Sequence, residues 1–480
     1  MKYNIVLNTL GHLLFYLGLC MIFPLLYAIY YKEPVINAFV LSFLITVICG
    51  LLLRIFFSSQ GTIRAREGFA IASLGWILAA GFGSLPFLFA GTFSNFIDAY
   101  FETMSGFTTT GATVLSPIEG NPLSILFWRD FIQWLGGMGI IVLVVAILPT
   151  LGVGGMQLFK SEVPGPEPDR LKPRIKETAK LLWLVYVIIS AFQVGLLYFT
   201  GMSLFDALTH MFGTMATGGF TPRNLSVGAY NNPVFDTIIT IFMFIAGANF
   251  ALHYKVLHGD IKSLFKDKEF RFYCGVILIS ILAVTTELRV YVYKSIFTAL
   301  RYASFQVVSI ISTTGFVTTD YDTWPALSKS ILLTLMFVGG CAGSTGGAIK
   351  NIRILLLLKQ AYREFYKLIH PQAVTPIRLG NKIISEEVMH NISSFFFMYI
   401  LVFIICTFIM SLLGLDILSA MASVAATLGN VGPGLGLVGP AQTYAFIPPL
   451  GKIILTLCML LGRLEIYTVL ILVVPEFWRK

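Results

Sequence analysis

The sequence predicts an all-α polytopic membrane protein that is built from four similar repeats and preceded by two transmembrane helices. Three observations support this fold class: 56% of the 480 residues are hydrophobic, only 12% are charged, and one polar, glycine-containing stretch recurs four times. Soluble domains carry about 25% charged residues. In lipid, only helices and closed barrels satisfy all of their backbone hydrogen-bonding groups. Apolar runs of about twenty residues therefore indicate helices rather than barrel strands of about ten.

The recurring stretch is centred on a glycine, and an alanine lies twelve residues before that glycine in each copy. The pairs are Gly111 and Ala99, Gly219 and Ala207, Gly315 and Ala303, and Gly432 and Ala420. The glycines are 108, 96 and 117 residues apart, and such a period indicates a repeated supersecondary unit. Since twelve residues hold about three helical turns, each unit predicts a short helix that runs into an extended strand. Four unrelated surface turns are the alternative, and the constant offset argues against them.

Residues 1–66 are predicted to form a two-helix hairpin, and the repeats to occupy 67–175, 176–270, 271–388 and 389–480. In the hairpin, transmembrane helices are expected at 1–34 and 35–57. Each repeat is expected to contain an outer membrane helix, a short re-entrant helix, a glycine strand and an inner membrane helix. The helices of successive repeats are predicted at 69–91, 98–105 and 122–148; 181–199, 204–215 and 234–253; 272–290, 295–312 and 327–358; and 392–413, 417–428 and 447–474.

The basic residues are concentrated in three segments that each follow one repeat. Segment 160–180 holds six, 255–271 holds five and 350–382 holds seven, in a chain of net charge +9. This is the pattern of cytoplasmic loops, so it favours a membrane protein over a nucleic-acid-binding one. Ten predicted crossings then place both chain ends in the cytoplasm, in agreement with the final Arg479-Lys480. The polar stretch 358–388 is either a partner-binding surface or an ordinary solvated loop.

Cysteine and histidine spacing gives no indication of a metal site, a disulfide framework or an enzyme. The six cysteines are scattered without C-x-x-C spacing, and the six histidines do not pair at ligand spacing. No Ser/His/Asp or Cys/His cluster suggests catalysis. We therefore expect neither enzymatic activity nor a bound cofactor, apart from a transported ion.

The four glycine strands predict the kind of site. Non-helical backbone at membrane depth is tolerated only where protein buries it or where it lines a wet cavity. Four copies around one axis can form rings of carbonyl oxygens that replace the hydration shell of a monovalent cation. The short helices would direct their negative C-terminal ends at that axis. The fold is thus predicted to be four helix–pore loop–helix repeats around one pore, with Asp98 and Asp206 at the far ends of the pore helices.

The filter runs resemble those of a known superfamily. They read TMSGFTTTGAT (103–113), ATGGF (216–220), STTGF (312–316) and GNVGPGLG (429–436), and they are similar to the filter loops of the Trk/Ktr/HKT cation transporters. With the two additional N-terminal helices, the whole chain resembles the bacterial TrkH-type potassium uptake subunits. The resemblance implies potassium uptake across the bacterial inner membrane, a homodimer with one pore per subunit, and a cytoplasmic nucleotide-binding partner of the TrkA type.

Applied residue by residue, the resemblance predicts the potassium ligands. They are the backbone carbonyls of Thr110, Gly111, Gly218, Gly219, Thr314, Gly315, Val431 and Gly432. The fourth loop, with Asn-Val-Gly-Pro, departs most from the threonine-rich pattern.

A second glycine-rich run lies inside the predicted inner helix of the third repeat. Its glycines at 339, 343 and 347 are four apart, the spacing of a helix-packing seam. Five glycines in ten residues, each costing a helix about 1 kcal/mol relative to alanine, favour a broken helix instead. In the resemblance this run is an intramembrane gating loop. The residues assigned to it are Gly339, Gly340, Gly343, Ser344, Thr345, Gly346 and Gly347.

Arg463 lies within the last apolar segment, where a charge usually faces the bundle interior or a water-filled pathway. One interpretation is an ion pair with Glu465, although residues two apart on a helix point away from each other. A pair with another helix or with a dimer partner is also possible. The resemblance implies instead a positive charge just below the filter, which acts with the glycine loop as a second barrier.

A different class of function stays open from the residues alone, namely a proton- or sodium-coupled secondary cation transporter built on broken helices. Carboxylates at the membrane midplane would favour it. The filter loops contain none, and Glu102 lies in a pore helix.

Overall fold

Helices form almost all of the regular structure in the computed structural model, which describes residues 1–57, 63–139, 175–380 and 382–479. At the N-terminus, Tyr3–Cys20 and Ile22–Tyr30 continue one another as a 28-residue apolar span. Ile36–Phe56 follows as a second span of 21 residues. The two transmembrane helices predicted for this hairpin are confirmed.

The hairpin helices approach each other through glycines. A Cβ on Gly50 would lie 2.6 Å from the backbone nitrogen of Phe15, and one on Gly11 would lie 2.8 Å from the carbonyl oxygen of Gly50. In lipid, close packing of small residues drives helix association, because the tails are as apolar as the side chains.

The hairpin also contacts the first repeat. The Glu33 carboxylate accepts hydrogen bonds from the first two backbone nitrogens of the helix Leu123–Gly137, at 2.7 and 3.1 Å, donors that a helix cannot satisfy itself.

Each repeat contains an outer helix, a pore helix, an extended filter strand and an inner helix. The outer helices are Ala65–Gly83 (continued by Leu85–Phe89), Ile175–Phe199, Lys268–Tyr291 and Glu386–Leu412. The pore helices are Phe96–Phe107, Leu204–Met215, Ile296–Ile311 and Ile417–Leu428. The inner helices are Leu123–Gly137, Pro233–Ala246, Ala326–Val338 and Pro449–Arg463. The predicted sequence of elements in each repeat is therefore present.

Short polar side chains begin three of the pore helices. Asn95, Ser203 and Asp416 each accept a hydrogen bond from the backbone nitrogen three residues later, at 2.9, 3.1 and 3.2 Å. Such caps satisfy N–H groups that have no partner within the helix. Asp98 and Asp206 lie in the first turns of their pore helices, at the ends remote from the filter strands.

All four inner helices are short, with 15, 14, 13 and 15 residues. In the second repeat the chain turns by 104° before the helix Phe250–Leu257, and in the fourth it turns by 114° before the helical segment Tyr467–Val473. In the third repeat the helix resumes only at Asn351–Ile369. The predictions of continuous helices at 234–253 and 447–474 were wrong. The predicted helix 122–148 agrees as far as Gly137, and its part beyond 139 lies outside the described residues.

The break in the second repeat has a local cause. The Asn249 side chain accepts a hydrogen bond from the backbone nitrogen of Ala251 at 2.8 Å and so caps a new helix. Hydropathy across 234–253 remains high through this break, so an apolar window cannot reveal it. Within the described residues, six helices are long and apolar enough to cross a membrane, or eight if each bent pair is one span. Ten crossings therefore stay a prediction.

The elements that follow the breaks gather on one side of the molecule. They include Phe250–Leu257, Lys262–Lys266 and Asn351–Ile369, together with the only strand pair among the described residues, Arg378–Leu379 with Lys382–Ile383. The strands are antiparallel, with Arg378 opposite Ile383 and Leu379 opposite Lys382. Two of the basic segments, 255–271 and 350–382, border one cavity on this side. Most of the third, 160–180, lies outside the described residues.

We predict that Gly50→Ala destabilises the protein by about 1–3 kcal/mol, the usual cost of overpacking, because the new methyl group would meet backbone atoms of the neighbouring helix. Thermal unfolding of the detergent-solubilised protein measures the effect. Gly195→Ala is the matched control, because a Cβ there meets no atom within 4 Å. Equal melting temperatures for the two variants would contradict the close packing of the hairpin.

Candidate functional site

The four pore helices end in the same backbone motif. Each first residue of the filter core donates its backbone N–H to the carbonyl five residues earlier, at 2.8 Å in every repeat. These residues are Thr110, Gly218, Thr314 and Val431. This is the Schellman arrangement, in which the preceding residue is left-handed and usually glycine. Here that residue is Thr109, Thr217, Thr313 or Asn430, with φ of 54°, 54°, 61° and 52°. Left-handed residues other than glycine cost about 1–3 kcal/mol each and cluster at functional sites.

The central glycines follow, and all four have positive φ, at 81°, 76°, 78° and 97°. Each faces a carbonyl oxygen of the next strand in the ring. A Cβ added to a central glycine would lie within 2.6 Å of a carbonyl oxygen of the next strand in every case. The distances are 2.1 Å from Gly111 to the oxygen of Gly218 and 2.1 Å from Gly219 to the oxygen of Thr314. They are 2.0 Å from Gly315 to the oxygen of Val431 and 2.6 Å from Gly432 to the oxygen of Thr110. The contacts run from strand one to two, two to three, three to four and four to one. The eight residues predicted as ligands are thus brought together in one closed ring.

Two of the predicted ligand carbonyls already accept hydrogen bonds from side chains. Gln133 Nε2 donates to the carbonyl of Gly218 at 2.6 Å, while its Oε1 accepts from the backbone nitrogen of Phe220 at 2.9 Å. The Tyr444 hydroxyl donates to the carbonyl of Gly432 at 2.7 Å. A carbonyl oxygen has two lone pairs, so it can still face an ion, but with less charge to offer.

A cavity of ≈ 350 Å³ with mixed polar and apolar lining adjoins the ring on the C-terminal side of the strands. All four central glycines line it, together with residues that follow them in the first three strands and with the stretch 440–444. Because every repeat contributes to its wall, the cavity lies over the centre of the ring and provides a mouth to the site.

The glycine loop 339–350 lies against the N-terminal side of the filter strands. The Gly347 backbone nitrogen donates to Thr313 Oγ1 at 2.8 Å. Thr345 Oγ1 lies 3.1 Å from the carbonyl of Met215 and 3.2 Å from that of Ala246. A Cβ on Gly347 would lie 2.5 Å from the carbonyl of Gly429. The loop therefore contacts the second, third and fourth repeats directly beneath the ring.

The loop backbone is unusual throughout. Gly339 and Gly343 both have φ of 73°, and Ala348 and Lys350 are left-handed at 59° and 80°. The buried Lys350 ammonium donates to the carbonyl of Gly346. The Cys341 nitrogen donates to the carbonyl of Gly247 at 2.8 Å. The loop is therefore a defined structure rather than a helix-packing seam.

Arg463 joins the loop to the first repeat. Its guanidinium donates to the carbonyl of Thr345 at 2.7 Å and to Thr109 Oγ1 at 3.1 Å. It also donates to the carbonyls of Gly136 and Gly137, at 2.7 and 2.9 Å, where the first inner helix ends. The positive charge lies immediately below the filter strands and at the negative end of a helix.

The structure pairs Glu465 with a different arginine from the Arg463 that was suggested as one possible partner. The Glu465 carboxylate lies 2.6 Å from Arg353, on the helix that follows the glycine loop. Glu465 and Ile466 are left-handed, with φ of 57° and 44°, which turns the chain sharply after Arg463. The carboxylate of Glu465 therefore binds the helix Asn351–Ile369.

Sequence reasoning missed several residues that hold the strands. Glu102 and Arg129 form a fully buried ion pair behind the first two strands, while Gln133 and Tyr444 hold the second and fourth. A charged residue within an apolar segment generally indicates a functional role. This signal was present in the sequence for Glu102 and Arg129. Nothing in the local sequence around Gln133 or Tyr444 indicates their contacts.

The fold is that of a multi-pass membrane transporter. Residues 35–480 match the sequence profile of the TrkH family of cation transport proteins. The chain is 45% identical over 488 residues to the Trk system potassium uptake protein TrkH of Salmonella typhimurium and 44% identical to that of Escherichia coli K12, with 100% of both chains covered in each case. The crystal structure of the potassium transporter TrkH from Vibrio parahaemolyticus matches with a TM-score of 0.90 at 39% identity, again over 100% of both chains. The chain belongs to the TrkH family, and the resemblance inferred from the filter runs is confirmed.

Cys341 provides a native probe of the loop, because it is only 1% exposed. In a variant that retains Cys341 and lacks the other five cysteines, we predict slow labelling by a thiol reagent. Adding Arg463→Ala should accelerate labelling by about tenfold, since the charge-assisted hydrogen bond to the carbonyl of Thr345 is lost and local opening of the loop becomes easier. Arg289→Ala, an exposed arginine on an outer helix, is the control. Equal labelling rates in both variants would show that Arg463 does not hold the loop.

Proposed function

We propose that the protein takes up potassium ions across the bacterial inner membrane through a channel-like pore, with the ring of four strands as its selectivity filter. The closed ring of contacts between each central glycine and the next strand's carbonyl supports this proposal. Rings of backbone carbonyls can replace the hydration shell of a monovalent cation. The potassium ligands would be the carbonyls of Thr110, Gly111, Gly218, Gly219, Thr314, Gly315, Val431 and Gly432.

The pore helices add to the electrostatic field at this ring. All four end immediately before their strands, so that the partial negative charge of each C-terminus lies close to the filter. Asp98 and Asp206, at the other ends of two pore helices, are too remote to be ligands. The field therefore comes from dipoles rather than carboxylates, which suits an ion that must release and regain water quickly.

The glycine loop and Arg463 would form the gate. The loop residues Gly339, Gly340, Gly343, Ser344, Thr345, Gly346 and Gly347 lie below the ring, and Arg463 holds their backbone at Thr345. A positive charge there opposes a passing cation with about 4 kcal/mol at 4 Å and an effective dielectric of 20. Conduction would require the loop and the guanidinium to move aside.

The relatives named above are potassium uptake proteins of the Trk system, which favours transport rather than an enzymatic function. We further propose a homodimer embedded in lipid, with both termini cytoplasmic. A cytoplasmic partner of the TrkA type would regulate the gate. The helix Asn351–Ile369 borders a mainly apolar cavity of ≈ 470 Å³ whose lining includes Lys359 and Arg378, and we assign this surface to such a partner.

Proton-coupled transport is the alternative, and one observation favours it. Asp130 is fully buried next to Arg129, and its Oδ2 has no hydrogen-bond partner among the described residues. A proton gradient imposed on proteoliposomes distinguishes the two functions. The rate of channel-like potassium uptake does not depend on the proton gradient when the membrane voltage is fixed. Potassium uptake driven by the proton gradient, and abolished by Asp130→Asn, would establish coupling.

We predict that Gly111→Ser or Gly315→Ser admits sodium or abolishes flux, because a side chain there would displace the neighbouring carbonyl. Potassium and sodium influx into proteoliposomes, measured separately, tests this. Gly91→Ser is the matched control, since Gly91 has φ of 70° but a Cβ there meets no atom within 4 Å. Wild-type preference for potassium in both filter variants would rule out the proposed filter.

We predict that Arg463→Ala raises potassium flux by about tenfold and leaves the potassium-to-sodium ratio unchanged. A barrier reduction of only 1.36 kcal/mol gives that increase, and the residue lies outside the ring of carbonyls. The same influx assay measures both quantities in protein whose insertion has been verified. Unchanged or lower flux would assign Arg463 a purely structural role.

A further inference from the structure

A buried ion pair lies behind the first two filter strands. Glu102 belongs to the first pore helix and Arg129 to the first inner helix, with Oε1 and Nε 2.7 Å apart and side-chain exposures of 0% and 1%. Removing two charges from water costs several kcal/mol per ion, and only good geometry with further hydrogen bonds offsets that cost. The other atoms that the pair binds therefore indicate its role.

The carboxylate of Glu102 binds the first filter strand. Thr113 Oγ1 donates to Glu102 Oε1 at 2.7 Å, and the backbone nitrogen of Val114 donates to Oε2 at 2.8 Å. Both partners lie just beyond Gly111. The carboxylate thereby fixes the outer half of this strand against its own pore helix with charge-assisted hydrogen bonds, which are about twice as strong as neutral ones.

The guanidinium of Arg129 binds the second filter strand. Its Nη1 donates to the carbonyl of Thr221 at 3.1 Å, and its centre lies 3.6 Å from the ring centroid of Phe220. Both residues follow Gly219. The ion pair is thus a bridge between the outer halves of strands one and two, next to the contact between Gly111 and the carbonyl of Gly218.

The position of Glu102 is used in a similar way by other repeats. The residues nine positions before the four central glycines are Glu102, His210, Gln306 and Ser423. His210 and Gln306 also contact the outer halves of their own strands, in each case through a threonine hydroxyl at 3.2 Å. Ser423 donates instead within its pore helix. Of these four residues only Glu102 is a carboxylate, and it is paired with an arginine that binds the neighbouring strand.

We infer that Glu102 and Arg129 are positioning residues for ion selectivity, which set the spacing between the first and second filter strands. They act through Thr113, Val114 and Thr221, so that loss of either side chain lets the two strands separate and the ring accept ions of another size. This inference rests on the proposed filter function.

The test uses the full-length protein in proteoliposomes, with potassium and sodium influx measured separately. Glu102→Gln and Arg129→Met should each lower the potassium-to-sodium ratio by about tenfold, the change expected for one lost charge-assisted bond. Thr113→Val removes the hydroxyl that donates to Glu102 and accepts from the backbone nitrogen of Leu115 at 3.1 Å, with no change of charge and little change of volume. It should lower the ratio in the same direction by about threefold, and it keeps the test valid if the charge variants fold poorly.

Two further variants separate positioning from charge balance. The double variant Glu102→Gln/Arg129→Met restores neutrality but not the bonds to the strands, so its ratio should stay low. The control Asp236→Asn/Arg301→Met removes a partly buried ion pair with an N–O distance of 2.7 Å and should lower the melting temperature without altering the ratio. A wild-type ratio in Glu102→Gln and Thr113→Val, or its recovery in the double variant, would overturn the inference.

Failure of the proposed filter would look different. In that case the wild-type protein itself would show no preference for potassium, or Gly111→Ser would leave the ratio unchanged. If instead the wild-type protein prefers potassium and Gly111→Ser loses that preference or its flux, while the Glu102 and Thr113 variants behave like wild type, the filter stands and the positioning role of the ion pair falls.

Discussion

Four segments of non-helical backbone meet inside the membrane, and the need to satisfy their polar groups governs the surrounding structure. Lipid offers these N–H and C=O groups no partners, so each group needs one within the protein or in the pore. The pore helices supply one set of partners by accepting the N–H of Thr110, Gly218, Thr314 and Val431. Each strand also packs against the next so closely that glycine alone fits. A displacement of one strand therefore disturbs the whole ring.

The repeats share this backbone but differ in the side chains that support it. The left-handed position before each filter is threonine three times and asparagine once, and the brace nine residues before the glycine is Glu, His, Gln or Ser. Beneath the ring the asymmetry is greater. Among the described residues only the third repeat inserts a twelve-residue loop, 339–350, and the fourth supplies Arg463, which bonds to that loop and to the first repeat. Four repeats with similar backbones thus surround the axis, while the side chains that support the filter strands differ from repeat to repeat.

Much of the fold followed from the sequence, because hydropathy and the spacing of four glycines are local signals. The predicted pore helix at 417–428 and the one at 204–215 coincide with the structure. The breaks after Ala246 and Arg463 were missed, because a reoriented helix can remain as apolar as a continuous one. The glycines of the third inner helix gave a stronger signal, since their cost to a helix is large.

For the site, the sequence indicated which residues meet but not how the strands are ordered or held. The contact of Gly111 with Gly218 and of Gly432 with Thr110 depends on tertiary packing across more than a hundred residues. The bridge through Glu102 and Arg129 joins a pore helix, an inner helix and two strands, and no spacing rule relates them. The partner of Glu465 was likewise unpredictable, because Arg353 lies 112 positions away.

The central claim is that a potassium-sized ion binds inside the ring of strands. Rubidium is close to potassium in size and scatters anomalously, so diffraction from crystals grown in rubidium salt locates it directly. The account predicts an anomalous peak on the axis, between the carbonyls of Thr110, Gly218, Thr314 and Val431, that disappears in Gly315→Ser. No peak within the ring of the intact protein, or a peak only beside Asp130, would contradict it.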